Sequence, residues 1–216
     1  MACRGMPKLK RRKHGREPKR RFYVFCEGEK TEPTYFAAVK AACANALIEL
    51  NTFPAVGVPN TIATAAAKLV RSLGLGLQGR KPQNYFEEGD EVWAVFDRDD
   101  HPNFNEAIDR CHQAGVRVGR SNPCFEVWLI LHEKDYNKPD DRKAVQTHFE
   151  KLRPEYDRHG AKIPDCADLA TRVHLAEDRA EKQLRRREDE GAPYGRPSTT
   201  VGQLTRAIRD ASAKAT

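Results

Sequence analysis

The sequence predicts an α/β fold in which a mostly parallel, doubly wound sheet is flanked by helices. Two short apolar runs, FYVFC (22–26) and VWAVF (92–96), have the composition of strands that are buried on both faces. Segments with helical spacing of apolar residues separate the strands, and this alternation favours parallel pairing. After residue 133 the pattern is helical only, which predicts additional C-terminal helices packed on the sheet domain.

The first two-thirds of the chain alternates strands and helices. After the first strand, the predicted elements are a helix from Pro33 to about Leu47, a weak strand at 51–58, a helix at 61–73, the strand 92–96, a helix from Pro102 to about Ala114, a strand at 116–119 and a helix at 124–132. Thr31 or Glu32 is expected to cap the first helix, because proline suits the first turn. Pro54 cannot donate a ladder hydrogen bond, so the weak strand is expected at an edge of the sheet.

Charge is distributed unevenly along the chain, whose formal net charge is +7. Residues 1–21 contain ten Lys or Arg and one acid, Glu17, so the rest is slightly acidic. We therefore predict a disordered basic arm, residues 1–21, and a single α/β domain, residues 22–216, with a helical extension from about residue 134. Such an arm can bind the phosphates of nucleic acid, or it can be a solubilising tail without specificity.

The composition argues against several classes of protein. The sequence has no run of about 18 apolar residues, which a transmembrane helix needs. Its N-terminus lacks the apolar segment of a secretory signal. The six cysteines are scattered, without CxxC pairs or zinc-finger spacing. These features predict a reduced, cytoplasmic protein that has no membrane segment and no structural zinc.

Acidic residues follow two of the predicted strands at the point where each strand ends. Glu27 follows the first, and Asp97 and Asp99 follow the third. Ligands of open parallel sheets bind outside the carboxyl ends of the strands, so these carboxylates are expected to converge. Converging carboxylates repel one another unless a cation lies among them, and Mg²⁺ or Mn²⁺ suits oxygen ligands. Each motif alone also fits a solvated loop or a helix start, but the two together favour a site.

Other residues are candidates for binding substrate phosphate. Gly28 lets the backbone approach a ligand closely, and Lys30 can offset phosphate charge. Ser198 is expected to cap the last helix, whose amides could hold an anion, although a simple capped helix is the alternative. The remaining candidates are Ser121, Asn122 and Arg196, with Tyr156 and Lys162 as weaker ones.

Glu126 lies inside the apolar segment CFEVWLILH (124–132). A buried carboxylate needs a partner or a metal, so Glu126 is a candidate supporting acid of the site. The alternative is an exposed or capped glutamate near the helix start, where the helix dipole favours it. His132, at the end of the same segment, is expected to be a packed histidine rather than a ligand.

Four motifs, in order along the chain, resemble those of the RloB-like family: CEGEKTEPTYF, VWAVFDRDDH, SNPCFEVWLILH and PSTTVGQL. The resemblance covers about residues 22–205. Glu27 and the D-x-D of residues 97–99 also resemble the signature of Toprim domains. The resemblance implies a Toprim-like variant of the Rossmann-like fold and a Mg²⁺-dependent nuclease in bacterial anti-phage defence, beside a partner ATPase.

By the same resemblance, Glu27 would be a metal ligand or general base, and Asp97 and Asp99 the acidic pair. Ser121 and Glu126 would correspond to a serine and an acid of Toprim nucleases of the OLD type. The function predicted is hydrolysis of phosphodiester bonds in RNA, tRNA included, or in DNA. The alternative is a non-catalytic module that binds nucleic acid or a protein partner and holds a structural or regulatory Mg²⁺.

Overall fold

The computed structural model describes residues 20–43, 48–54, 56–75, 89–98, 103–160 and 163–213. Residues 1–19, most of the predicted basic arm, therefore lie outside the described residues, as do Asp99 and Lys162. The elements are β1 (Arg20–Cys26), α1 (Thr31–Ala42), β2 (Ile48–Phe53), α2 (Pro59–Leu73), β3 (Glu91–Asp97), α3 (Phe104–Gln113), β4 (Arg117–Asn122), α4 (Glu126–Glu133), α5 (Arg142–Leu152), α6 (Cys166–Thr171), α7 (Val173–Asp189), β5 (Ser198–Thr199) and α8 (Val201–Ala213).

The five strands form one sheet in the order β2-β1-β3-β4-β5. All pairs are parallel except β4 with β5, which is antiparallel. The chain runs outward from β1 to β2 and then crosses back to β3 on the other side of β1. The direction of winding therefore reverses between β1 and β3, and the predicted α/β fold with a mostly parallel sheet is confirmed.

Side chains of β1 and β3 alternate between two apolar cores. Val24 and Trp93 belong to the core that includes α1 and α4–α8. Phe25 and Phe96 belong to the core under α2 and α3. Because strand side chains alternate, Asp97 lies on the same side of the sheet as Trp93, toward α1 and α4.

Several boundaries differ from the sequence predictions for reasons of tertiary contact. β1 begins at Arg20, two residues inside the predicted arm, because Arg20 pairs with Glu91 and the amide of Arg21 donates to Asp90 at 3.0 Å. β2 lies earlier than predicted, but it is the edge strand that Pro54 indicated. The N-cap position of α1 is held by Lys30, not by Thr31 or Glu32.

The prediction that Ser198 caps the last helix is wrong. Ser198 lies in β5, and α8 begins only at Val201. Ser198 is buried and accepts a hydrogen bond from Arg120 at 3.0 Å, while the hydroxyls of Thr199 and Ser121 lie 3.1 Å apart. These contacts draw the segment into the sheet beside β4, so the helix starts later.

No helix in the described part of the chain is long and apolar enough to cross a membrane.

Candidate metal centre and active site

A cleft of about 380 Å³ opens where β1 and β3 end. This is the point at which the winding of the sheet reverses, the usual ligand position in open α/β sheets. Five carboxylates line the cleft, four of them buried or partly buried, together with one lysine and one arginine. The lining residues are Glu27, Gly28, Glu29, Lys30, Thr31, Glu32, Asp97, Phe125, Glu126, Arg142 and Gly160, of which Glu29 is a fifth, exposed acid.

Two hydrogen bonds join the ends of β1 and β3. The amide of Glu27 donates to the carbonyl of Val95 at 3.1 Å. The amide of Asp97 donates to Oε2 of Glu27 at 3.0 Å. The structure thus brings together the two acids that the sequence placed at the strand ends, and Asp97 itself is only 5 % exposed.

Glu32, in the first turn of α1, is a buried acid that sequence reasoning assigned only to helix capping. Its Oε1 accepts a hydrogen bond from the amide of Gly28 at 3.1 Å. A Cβ on Gly28 would lie 1.9 Å from Oε2 of Glu32, so this position has room only for glycine while Glu32 keeps its place. Glu32 could have been recognised from its position in the first turn of α1, a helix that starts shortly after β1 ends.

Glu126, at the start of α4, is 4 % exposed and has two side-chain donors. The hydroxyl of Tyr156 donates to Oε1 at 2.5 Å, and Nε2 of Gln146 donates to the same oxygen at 3.1 Å. The buried carboxylate therefore has the hydrogen-bond donors that a buried acid needs. Gln146 escaped sequence reasoning, because nothing local indicates that α5 packs against α4.

Like charges and burial shift the protonation of the cleft. Burial raises the pKa of Asp97 well above its ordinary value, and the charges of Glu32 and Glu27 raise it further, while Arg142 opposes them. Burial also raises the pKa of Glu32, with Glu126 and Glu27 adding to the shift. Burial and mutual repulsion thus disfavour the ionised forms of these acids in the cleft. Such an arrangement is typical of cation-binding and catalytic sites.

Arg142, the first residue of α5, is a basic residue in this cleft that sequence reasoning missed. Its Nη2 lies 3.5 Å from Oδ2 of Asp97, and its side chain is 42 % exposed. Asp141 caps α5 by accepting from the amide of Ala144 at 2.8 Å, which fixes where the helix begins. The arginine thus reaches Asp97 from the rim of the cleft.

A family model described as RloB-like protein matches residues 22–208 of this sequence. The chain belongs to the RloB-like protein family. The match spans β1 to most of α8 and includes all four of the carboxylates Glu27, Glu32, Asp97 and Glu126. A search of curated proteins and a search of solved structures each returned no match.

The donor set of the RloB-like cleft fits a hard divalent cation, because its ligands are carboxylate oxygens. Among the residues that the structure describes, no three His, Cys, Asp or Glu side chains form a ready-made metal cage. Mg²⁺ seldom needs one, since it is usually held by one or two carboxylates and completes its shell with water and substrate phosphate. Glu27 and Asp97 are the pair best placed for this role.

Four of the predicted phosphate-binding residues do not line the cleft. Ser121 and Ser198 are buried and bonded to Thr199 and Arg120, respectively. Asn122 is buried and donates to the carbonyl of Tyr194 at 2.6 Å. Arg196 is exposed on the loop before β5. Gly28 and Lys30 do line the cleft. Of the six phosphate-binding candidates, these two are therefore the ones placed beside the acids.

His132 is packed rather than ligating, as predicted. It is buried, with Nε2 2.9 Å from the hydroxyl of Tyr35 and Nδ1 3.0 Å from the carbonyl of Trp128. Burial lowers the pKa of His132 to about 3, so the ring is neutral at physiological pH.

Proposed function

We propose that this RloB-like protein is a Toprim-type nuclease that uses Mg²⁺ or Mn²⁺ to hydrolyse phosphodiester bonds of RNA or DNA. The observation that carries the proposal is the crowding of four carboxylates around one cleft at the reversal point of the sheet. Two of them, Asp97 and Glu32, are buried with raised pKa values, mainly because of burial and partly because of the neighbouring acids. A divalent cation would relieve this repulsion.

Glu27 and Asp97 would hold the ion from two adjacent strand ends. Bound there, Mg²⁺ would supply charge neutralisation, an activated water and stabilisation of the departing oxygen. Glu126 belongs to the same catalytic set: its orientation is fixed by Tyr156 and Gln146, so it can orient water near the ion. Glu32 adds negative charge and holds the Gly28 amide in place.

The basic side chains of the cleft suit the substrate phosphate. Lys30 lies exposed at the start of α1, where the helix dipole also favours an anion. Arg142 is half-exposed at the rim and can contact a phosphate oxygen while remaining close to Asp97. These two cations would hold the phosphodiester against the acidic pair.

A role in bacterial anti-phage defence, beside a partner ATPase, is part of the same proposal and rests on family membership. A nuclease that is always active would harm its host, so we expect a partner to control it. Co-purification from the native host should recover that partner, and full activity of the protein alone, without one, would contradict this control.

The proposed activity is tested by incubating the protein with labelled total tRNA, single-stranded RNA and plasmid DNA in Mg²⁺, Mn²⁺ or EDTA. We expect cleavage of at least one substrate class that requires the metal and is absent in Glu27→Gln. A wild-type protein that cuts none of them, even with its co-purified partner, would contradict the proposal and favour the non-catalytic binding module.

A further inference from the structure

The loop between α7 and β5, residues 190–197, is fixed to the ends of two neighbouring strands. The side chains of Arg98 and Asn122 both donate to the carbonyl of Tyr194, the latter at 2.6 Å. Nη2 of Arg120 donates to the carbonyl of Pro193 at 2.8 Å. The backbone at Tyr194 is therefore held by residues of β3, β4 and their extensions.

The ring of Tyr194 is held in turn by a cation and an aromatic edge. The guanidinium carbon of Arg120 lies 4.7 Å from the ring centroid, and the Phe104 ring packs edge-on at 6.3 Å. Burial lowers the pKa of Arg120 to about 10, so it remains a cation at neutral pH. Tyr194 is nevertheless 37 % exposed, which leaves a rigid aromatic surface toward solvent.

A surface cavity of about 510 Å³ lies beside this ring. It runs along the outer edge of β4, from Arg117 at the start of the strand to Arg120 and Tyr194. Among the described residues that line it there is no acid, in contrast to the cleft at Glu27 and Asp97. Arg117 is 60 % exposed and pairs through Nε with the buried Glu91 at 3.5 Å, so its outer nitrogens face the cavity, and His112 joins it in the lining. The chemistry of the cavity, aromatic and basic, is that of a site for an aromatic anion.

The end of β3 lies between the acidic cleft and the loop that carries Tyr194. Asp97 faces the cleft, and Arg98, the next residue, bonds the loop that carries Tyr194. A strand of nucleic acid with one phosphate in the cleft can therefore reach Tyr194 with a nearby base. Aromatic rings backed by arginine are common platforms for unpaired bases.

We propose that Tyr194 and the adjoining cavity bind an unpaired nucleotide of the substrate, with its base stacked on the ring and its phosphate toward Arg117 and His112. The inference rests on the proposed nuclease function and narrows its substrate to single strands or loops. A base within a duplex is stacked on both faces and cannot offer one to Tyr194.

The proposal is tested with Glu27→Gln protein, so that the substrate stays intact during binding. Single strands that carry 2-aminopurine, and matched duplexes, are titrated by fluorescence anisotropy and 2-aminopurine quenching. Tyr194→Ala should weaken single-strand binding about tenfold and abolish the quenching, as loss of one stacked base implies. Tyr194→Phe, the matched control, should retain both, and duplex binding should be the same in all three proteins.

Tyr194→Ala loses the ring contacts with Arg120 and Phe104, so its thermal midpoint should fall by a few degrees, whereas Tyr194→Phe should keep the wild-type midpoint. Both variants should remain folded, because Arg98 and Asn122 bond the main chain of residue 194. Equal single-strand affinity and quenching in Tyr194→Ala and Tyr194→Phe would overturn the inference, and so would a preference of the protein for duplexes. Cleavage assays separate this failure from that of the function: wild-type cleavage unaffected by Tyr194→Ala overturns the inference alone. Ring-dependent binding without any wild-type cleavage supports the nucleotide site and contradicts the nuclease.

Discussion

The main-chain amide of Asp97 donates a hydrogen bond to the carboxylate of Glu27 over 3.0 Å. This bond links the ends of two parallel strands that are adjacent in space and 70 residues apart along the chain. It places the two acids at the position where an open α/β sheet binds its ligands. Since the donor is a backbone group, a neutral oxygen acceptor in the place of Glu27 can still keep the link, although a weaker one.

Glu27→Gln should therefore separate chemistry from folding. The amide oxygen of glutamine can still accept the bond from Asp97, so we expect the free energy of unfolding to change by less than about 1 kcal/mol. Turnover should fall by about 100-fold or more, because a metal ligand or general base is lost. Thermal unfolding and steady-state cleavage measure the two effects. Turnover within a few-fold of wild type would remove Glu27 from the site.

Asp97→Asn should stabilise the protein when metal is absent. The pKa of Asp97 is raised in the fold by burial, Glu32 and Glu27, so the native state keeps its proton to higher pH than the unfolded chain, whose value is 3.8. The stability of the wild type must then fall as pH rises between these two values. At pH 7.5 we expect the variant to be more stable by about 1–2 kcal/mol.

Urea unfolding in EDTA across a pH series measures this difference. The advantage of Asp97→Asn should shrink as pH is lowered toward 3.8, because the wild-type carboxyl then becomes neutral as well. A stability difference that is independent of pH, or a variant that is less stable at pH 7.5, would show that the fold does not disfavour the ionised form of Asp97.

Arg142→Gln should tighten metal binding and weaken substrate binding. The guanidinium lies 3.5 Å from Asp97, where its positive charge repels a divalent ion. Removing it should strengthen Mn²⁺ binding about tenfold at low salt, measured by calorimetry. Arg142→Lys keeps the charge and is the matched control. Unchanged or weaker Mn²⁺ binding in Arg142→Gln would mean that the arginine is remote from the ion.

Tyr156→Phe should destabilise the protein and reduce its activity. The hydroxyl donates to the buried carboxylate of Glu126 at 2.5 Å, and its removal leaves Gln146 as the side-chain donor that the structure shows. We expect a loss of about 1–3 kcal/mol in the free energy of unfolding. Tyr136→Phe removes a comparable hydroxyl from Asp140, outside the cleft, and should leave turnover unchanged. Equal turnover in both variants would place Glu126 outside the catalytic set.

The strands that carry the site could be predicted from sequence because their signals are local. The apolar runs of β1 and β3 are continuous, and the acids Glu27 and Asp97 follow them directly. The rule for parallel sheets then brings both ends to one edge without knowledge of the remaining contacts. Glu126 becomes a candidate for the same kind of local reason, because it is a carboxylate within an apolar helix, and its role in the site stays a prediction.

The rest of the site depends on contacts between distant segments. Arg142 reaches the cleft, and Gln146 reaches Glu126, only because α5 packs beside α4. Their own sequence shows an ordinary polar-faced helix. Ser198 looks like a helix cap because the same residue types favour caps and turns, whereas its pairing with β4 comes from a partner strand far away in sequence. Contacts between segments that are distant in sequence leave no local pattern from which they could be predicted.

Calorimetric titration with Mg²⁺ and Mn²⁺ shows whether the cleft between Glu27, Asp97 and Glu126 binds a divalent cation. Wild-type protein, freed of metal with EDTA and dialysed, should bind the ion at pH 7.5, more weakly as pH falls, because protons compete for Asp97. Asp97→Asn should lose this binding while remaining folded. Equal binding by the two proteins would place the ion away from Asp97, and no binding by the wild type with or without a nucleic-acid strand would exclude a cation site in this cleft.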